Sequence, residues 1–216
     1  MLNVQKKFQR ANGNINVKIN NNEINRFYQS GSAKVFYPKS SQKIKELVLV
    51  NTAGGLTSGD NFFYNIDIIN KSKIFVTTQT AERVYKGINE NAEIKVTLLV
   101  DDTSDLFWIP QELILFNNCN LNRKIEVNLK SNSNFLLAES TIFGRTAMGE
   151  ILEKGFFKDN WKIYLNKKLI HAEALSLTGN IKDKLSSIAC TDNGVAICNI
   201  FISGKHFLSK EDLLTK

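Results

Sequence analysis

Apolar and polar residues alternate with a period of two along most of the chain. Ile15, Val17 and Ile19 stand between polar neighbours, and the pattern returns at Ile94, Val96, Leu98 and Val100, and at Ile125, Val127 and Leu129. It returns again at Trp161, Ile163 and Leu165, then at Ile170, Ala172 and Ala174. Successive side chains of a strand point to opposite faces, so each run predicts a strand with one dry and one wet face. Residues 194–203, GVAICNIFIS, form a nearly continuous apolar run and predict a further strand. Breaks rich in Asn, Asp, Ser and Gly fall at 20–22, 101–105, 117–122 and 131–134. Strands recurring at such intervals predict an all-β sandwich, barrel or solenoid.

Helix signals are few. Residues 81–86 have room for one turn, and 182–188 form a weak candidate. At 209–216 an N-cap Ser209 precedes Glu211 and Asp212, where carboxylates suit a helix N-terminus. The sequence stops as that helix begins, so a C-terminal truncation is expected. Of two prolines, Pro38 marks a strand end and Pro110 forces an edge strand or a bend within LFWIPQELILF.

The chain is organised around residues 51–86. A turn holding Gly54, Gly55 and Gly59 and closed by Asp60 lies between apolar runs, and the stretch ends in an exposed-looking QTAERVYK. Glycines so close together predict a shaped loop. The loop lacks the Gly-Lys-Ser/Thr ending of a phosphate-binding loop and the spacing of a dinucleotide fingerprint, so nucleotide binding is discounted.

Composition narrows the classes. The 216 residues carry 28 Lys and Arg against 21 Asp and Glu, a formal charge of +7. Acidic partners suit that balance, but the lysines are scattered and no nucleic-acid motif is present, so nucleic-acid binding is not expected. No apolar run reaches the length of a membrane helix, and the N-terminus has no signal-like core. Cys119, Cys190 and Cys198 are too few for a disulfide framework, and Cys190 and Cys198 read as small buried hydrophobes. A single cytoplasmic domain over 1–216 with reduced thiols is expected.

Catalytic constellations are missing. With His171 and His206 alone and no C-x-x-C, a closed zinc site is out of reach. Any metal would be held by oxygen ligands and water, weakly and in exchange. Four carboxylates stand in unusual company: Asp60, Glu139 in FLLAESTIF, Glu173 in LIHAEALSL, and Glu150 after GRTAMG. A carboxylate in an apolar strand needs pairing or hydrogen bonds. Alternation that turns Glu139 and Glu173 outward, or neutralisation by Arg145, Arg83 or a lysine, is the bland reading; for Asp60 it is loop capping. No nucleophile and base are paired, so a non-enzyme is expected.

The motif order SGSAKVFYP (30–38), NTAGGLTSGD (51–60), VTTQTAERVYKG (76–87), LFWIPQELILF (106–116), FGRTAMGE (143–150) and LIHAEALSL (169–177) resembles the urease accessory protein UreD family, also called UreH. Departures are Glu82-Arg83, where a small residue and Lys are usual, and Thr146 in place of a proline. A further C-terminal segment of the family fold is expected to be missing. The resemblance implies a mainly β, elongated β-helix-like stack with few short helices. It implies a nickel-urease maturation factor that binds apo-urease with the accessory proteins UreF and UreG. GTP would sit only on the partner GTPase, with no tightly bound cofactor here and Ni²⁺ in transit. Asp60, Glu139 and Glu173 are expected to line one nickel passage. Gln79, Arg83, Tyr85, Trp108 and Gln111 are expected to meet partners, and Gly54, Gly55, Gly59, Gly144, Arg145, Gly149 and Glu150 to shape the motif loops. A β-sandwich interaction or ligand-binding module without a metal role is the alternative.

Overall fold

The structure is a computed structural model and describes residues 9–88 and 90–205. Fifteen strands form nearly all of it. They are β1 (Asn12–Asn20), β2 (Glu23–Gly31), β3 (Ala33–Phe36), β4 (Lys45–Asn51), β5 (Asn61–Ile69), β6 (Lys73–Thr78), β7 (Glu82–Val84) and β8 (Ala92–Val100). There follow β9 (Asp105–Trp108), β10 (Leu113–Leu115), β11 (Cys119–Leu129), β12 (Asn134–Phe143), β13 (Lys154–Leu165), β14 (Lys168–Asn180) and β15 (Ala196–Ser203).

Two sheets face each other. One has the order β14-β13-β11-β8-β5-β1-β2; the other runs β3-β4-β6-β9-β12-β10-β7, with β15 beside β12. Strands β1, β5, β8, β11 and β13 are parallel, as are β4, β6, β9 and β12. The chain leaves one sheet, crosses to the other and returns one strand further on. That path is a β-helix, as the resemblance implies. Antiparallel partners terminate it, β2 and β3 at one end, β14 and β15 at the other.

In-register coiling puts like on like. Val17, Ile66, Leu98, Val127 and Ile163 form one interior row, each with 0% exposure. Burial of each contributes about 1.5–3 kcal/mol, which is what holds coil to coil. The period-two pattern is therefore the stacking instruction.

The two corners differ. One is tight: Asn21, Asn70, Thr103 and Asn166 adopt left-handed backbone angles there, and Ser72, Ser104 and Ser133 stack in a buried column. Asn tolerates that conformation better than most side chains. The opposite corner carries the long loops, and the sequence motifs lie in them.

Several expectations change. Residues 81–86 are not a helical turn, because Glu82–Val84 pairs as a parallel strand with Leu113–Leu115. A short helix, α1, spans Ile181–Leu185 and is capped by the Asn180 side chain. Pro110 lies in the bend between β9 and β10. Cys190 and Cys198 are exposed rather than buried; only Cys119 is in the core. The helix expected at 209–216, and His206, lie outside the described residues. No helix among the described residues is long and apolar enough to cross a membrane.

Candidate functional site

The glycine loop is built on Asn51 at the end of β4. Its side-chain oxygen accepts from Ala53 N at 2.9 Å, and its amide donates to Gly55 O at 3.2 Å and to the Glu82 carboxylate at 3.1 Å. Gly55 has φ +143°, and a Cβ there would lie 2.4 Å from the Tyr85 ring. Only glycine lets the loop lie flat on that ring. Tyr85 in turn donates its hydroxyl to Gly54 O at 3.2 Å. Asp60 closes the loop: its two oxygens accept from Ala11 N and Thr57 N, both at 2.8 Å. Gly59 donates its N–H to Asn91 O at 3.0 Å in the next loop.

The second motif loop folds back on itself. Arg145 and Glu150 exchange backbone hydrogen bonds and also form an ion pair. Gly144 has φ +84°, and a Cβ would lie 2.6 Å from Glu150 O. Gly149 ends a 3₁₀ turn over Thr146–Met148 in the left-handed conformation. The Arg145 guanidinium lies 4.2 Å above the Phe116 ring, whose edge meets Tyr85 at 5.0 Å. Two motifs distant in sequence thus share one surface, with Met148 exposed beside them.

Behind this corner the interior turns polar. Along one interior row Phe62 and Ile94 are followed by Arg123 and Asp159. The Arg123 fork donates to Asp159 through Nε at 2.9 Å and Nη2 at 2.6 Å, and to Glu139 of the facing sheet through Nη1 at 2.6 Å. Trp108 donates its indole N–H to Glu139 at 2.6 Å, and Trp161 donates to Asp159 at 3.0 Å. All five side chains are buried. Burial alone would lower the Arg123 pKa, yet Asp159 and Glu139 hold it above the ordinary value.

A cavity of about 90 Å³ leads to this cluster. Its exposed lining includes Gly54, Thr80, Arg83 and Gln111, and its less accessible lining includes Gly55, Tyr64, Trp108, Arg123 and Glu139. Glu82 stands between. Burial pushes its carboxyl up to about 7, although the Asn51 amide pulls the other way.

Further along the stack, Asn199 of β15 is the register partner of Glu139 and donates to Glu173 at 2.6 Å. Glu173 is partly exposed, with His171 Nε2 3.8 Å away and the His171 ring 5.1 Å from that of Phe201.

The expected passage residues therefore separate. Glu139 lines the cavity, Glu173 sits one amide beyond it, and Asp60 is taken up by loop capping, because backbone N–H groups engage both its oxygens. Gln79, Arg83, Tyr85 and Gln111 are exposed, and of these Arg83 and Gln111 line the cavity. Trp108 is not among them. At 3% exposure it is a core residue, turned inward by the alternation that also buries Leu106. Arg123 and Asp159 went unread in the sequence, and Glu82 was noted only as a departure from the family pattern. The signal was parity: Arg123 shares a face with Ile125 and Val127, and Asp159 with Trp161 and Ile163. Among the described residues no group of three or more His, Cys, Asp or Glu is placed to hold a metal.

The family model described as UreD urease accessory protein matches residues 10–215. The chain is 38% identical over 178 residues to the urease accessory protein UreD of Rhodopseudomonas palustris strain BisB5, covering 82% of this chain and 63% of that one. It is 38% identical over 181 residues to that of Rhizobium leguminosarum bv. viciae, covering 84% and 66%. With the urease accessory protein UreD 1 of Brucella anthropi it shares 34% over 218 residues, covering 95% and 77%. The chain thus spans just under two thirds of the length of the first two relatives.

Proposed function

The chain belongs to the UreD family of urease accessory proteins, and from that premise we propose that it is a non-catalytic maturation factor for urease in the cytoplasm. It binds apo-urease together with UreF and the GTPase UreG, and gives Ni²⁺ a guarded route toward the urease active site. GTP stays on UreG.

The cavity carries this reading. It joins a surface rimmed by Gly54, Arg83 and Gln111 to a buried carboxylate, Glu139. Ni²⁺ in transit suits oxygen ligands and water, whereas a cage of imidazole and thiolate would retain it. The route runs from the mouth past Glu82 to Glu139, then by way of Asn199 to Glu173. The exposed residues Gln79, Arg83, Tyr85 and Gln111 are the contact surface. Tyr85, backed by Phe116 and Arg145, has the aromatic character of an interface anchor.

Glu139→Gln tests it. The variant keeps an acceptor for Trp108 and is expected to co-purify with apo-urease and its partner factors while lowering the nickel content of the resulting urease. Full nickel loading by a folded, complexed variant refutes the route. Failure of the unsubstituted chain to retain apo-urease, with or without UreF and UreG, refutes the maturation role and favours a metal-free interaction module.

A further inference from the structure

We infer that Arg123 is the positioning residue that lets the interior acids draw in a divalent cation without capturing it. The inference rests on the nickel-route reading. It starts from how fully the guanidinium occupies its neighbours. Glu139 gives one oxygen to Arg123 and the other to Trp108. Asp159 gives one oxygen to Arg123 Nε and shares the other between Arg123 Nη2 and Trp161. Every carboxylate oxygen of the pair already accepts a hydrogen bond.

Charge and lone pairs act separately here. One guanidinium against two carboxylates leaves the cluster formally at −1, so it attracts a cation along the cavity. Each Glu139 oxygen and Asp159 Oδ1 keep a lone pair, but the fixed N–H fork takes the ones that face Arg123, where a bridging cation would need them. Arginine does not give up its proton in proteins, so this arrangement holds over the whole working pH range. The place between Glu139 and Asp159 is where a cation would bridge two carboxylates, and the guanidinium fills it permanently.

Register explains why the residue stands there. Arg123 follows Phe62 and Ile94 in its interior row and precedes Asp159. It is the first charged residue after an apolar stretch and lies directly beside its carboxylate partner. Glu139 approaches from the facing sheet. The cluster therefore spans the interior at the inner end of the cavity rather than lining one wall.

The test uses the full chain and Ni²⁺ alone, titrated in competition with a chromophoric chelator. Arg123→Met keeps an apolar side chain of similar reach and removes the charge and donors. It is expected to bind one Ni²⁺ per chain about 10-fold tighter or more than the unsubstituted chain. Adding Glu139→Gln returns the affinity to the starting level. A folded Arg123→Met that binds Ni²⁺ no better overturns the inference. Breaking a buried ion pair strains folding, so Arg123→Lys provides a second arm. It keeps the charge, gives up the two-pronged contact with Asp159, and is expected to bind several-fold tighter; equal affinity overturns the inference. Tight Ni²⁺ binding by Arg123→Met with undiminished urease activation shows that the guanidinium keeps the acids from capturing the ion, but refutes the route and with it the role in transit. Lost activation without gained affinity overturns the role and leaves the route standing.

Discussion

Trp108 donates its indole N–H to Glu139 across 2.6 Å of buried interior. The two residues lie on adjacent parallel strands, β9 and β12. The contact makes Trp108 part of the acid's support and takes it off the protein surface. Trp108→Phe keeps most of the packing and removes the donor. It is expected to destabilise the chain by about 1–3 kcal/mol, the usual penalty for stranding a buried acceptor. Gln111→Ala, on the exposed rim, should stay within about 0.5 kcal/mol. Urea unfolding of both variants measures this; an unmoved midpoint for Trp108→Phe contradicts it.

Gly55 and Gly54 separate shape from contact. Both have positive φ, but a Cβ at Gly55 collides with Tyr85 and Arg83, whereas at Gly54 it meets nothing within 4 Å. Gly54→Ala is expected to cost about 1 kcal/mol from backbone conformation alone. Gly55→Ala must also push Tyr85 away, so it should cost more and weaken complex formation with apo-urease and its partners. Thermal unfolding and co-purification read the two effects; identical behaviour of the variants would count against the close packing.

Glu82 predicts a pH dependence with a definite sign. Burial raises its pKa from the ordinary 4.5 to about 7 in the folded chain. The folded state then holds the proton more tightly than the unfolded state. Stability conferred by the neutral form is lost as pH rises from about 4.5 through 7. Glu82→Gln should therefore be more stable than the unsubstituted chain at pH 8, by about 1–3 kcal/mol, and equal to it near pH 4. Denaturation at the two pH values decides; an advantage confined to the acid side would reverse the assignment.

Asp60 and Glu173 should part company under mutation. Asp60 accepts two backbone N–H groups in a buried turn, so Asp60→Ala is expected to lose about 2–4 kcal/mol of stability. Glu173→Gln, partly exposed, should leave stability within about 0.5 kcal/mol and lower nickel loading of urease. Chemical denaturation and metal analysis of the urease product together test the pair. Normal loading with Glu173→Gln would end the proposed route at Glu139.

Arg145 and Glu150 hold a surface loop. Being partly exposed, their ion pair itself contributes little, about 1 kcal/mol or less. Arg145→Ala also removes the cation above Phe116, so its main expected effect is weaker complex formation through a loosened Tyr85–Phe116 corner. Co-purification at unchanged thermal stability is the check.

Much of this protein is written in its period-two pattern. Ile15, Val17 and Ile19, repeated coil after coil, determine strands with one dry face; the turn residues at 20–22 determine the β1–β2 hairpin, and those at 101–105 and 131–134 determine where the chain crosses between sheets. The glycine loop, the bend at Pro110 and the odd placement of Glu139 were also legible, because each is a local demand on backbone or burial. Parity alone already put Arg123 and Asp159 on the dry face. What it left undecided was whom they meet. Arg123 and Asp159 are 36 positions apart, and Glu139 faces Arg123 from the other sheet. Local propensity gave 81–86 as a turn of helix, but pairing with Leu113–Leu115 made it a strand. Trp108 was expected to meet partners as an exposed aromatic, but coil stacking turned it inward. Which acids cluster and which aromatics reach solvent depends on the register between coils and on the contact between two facing sheets. Those relations join residues far apart in the chain, and only the folded stack brings them together.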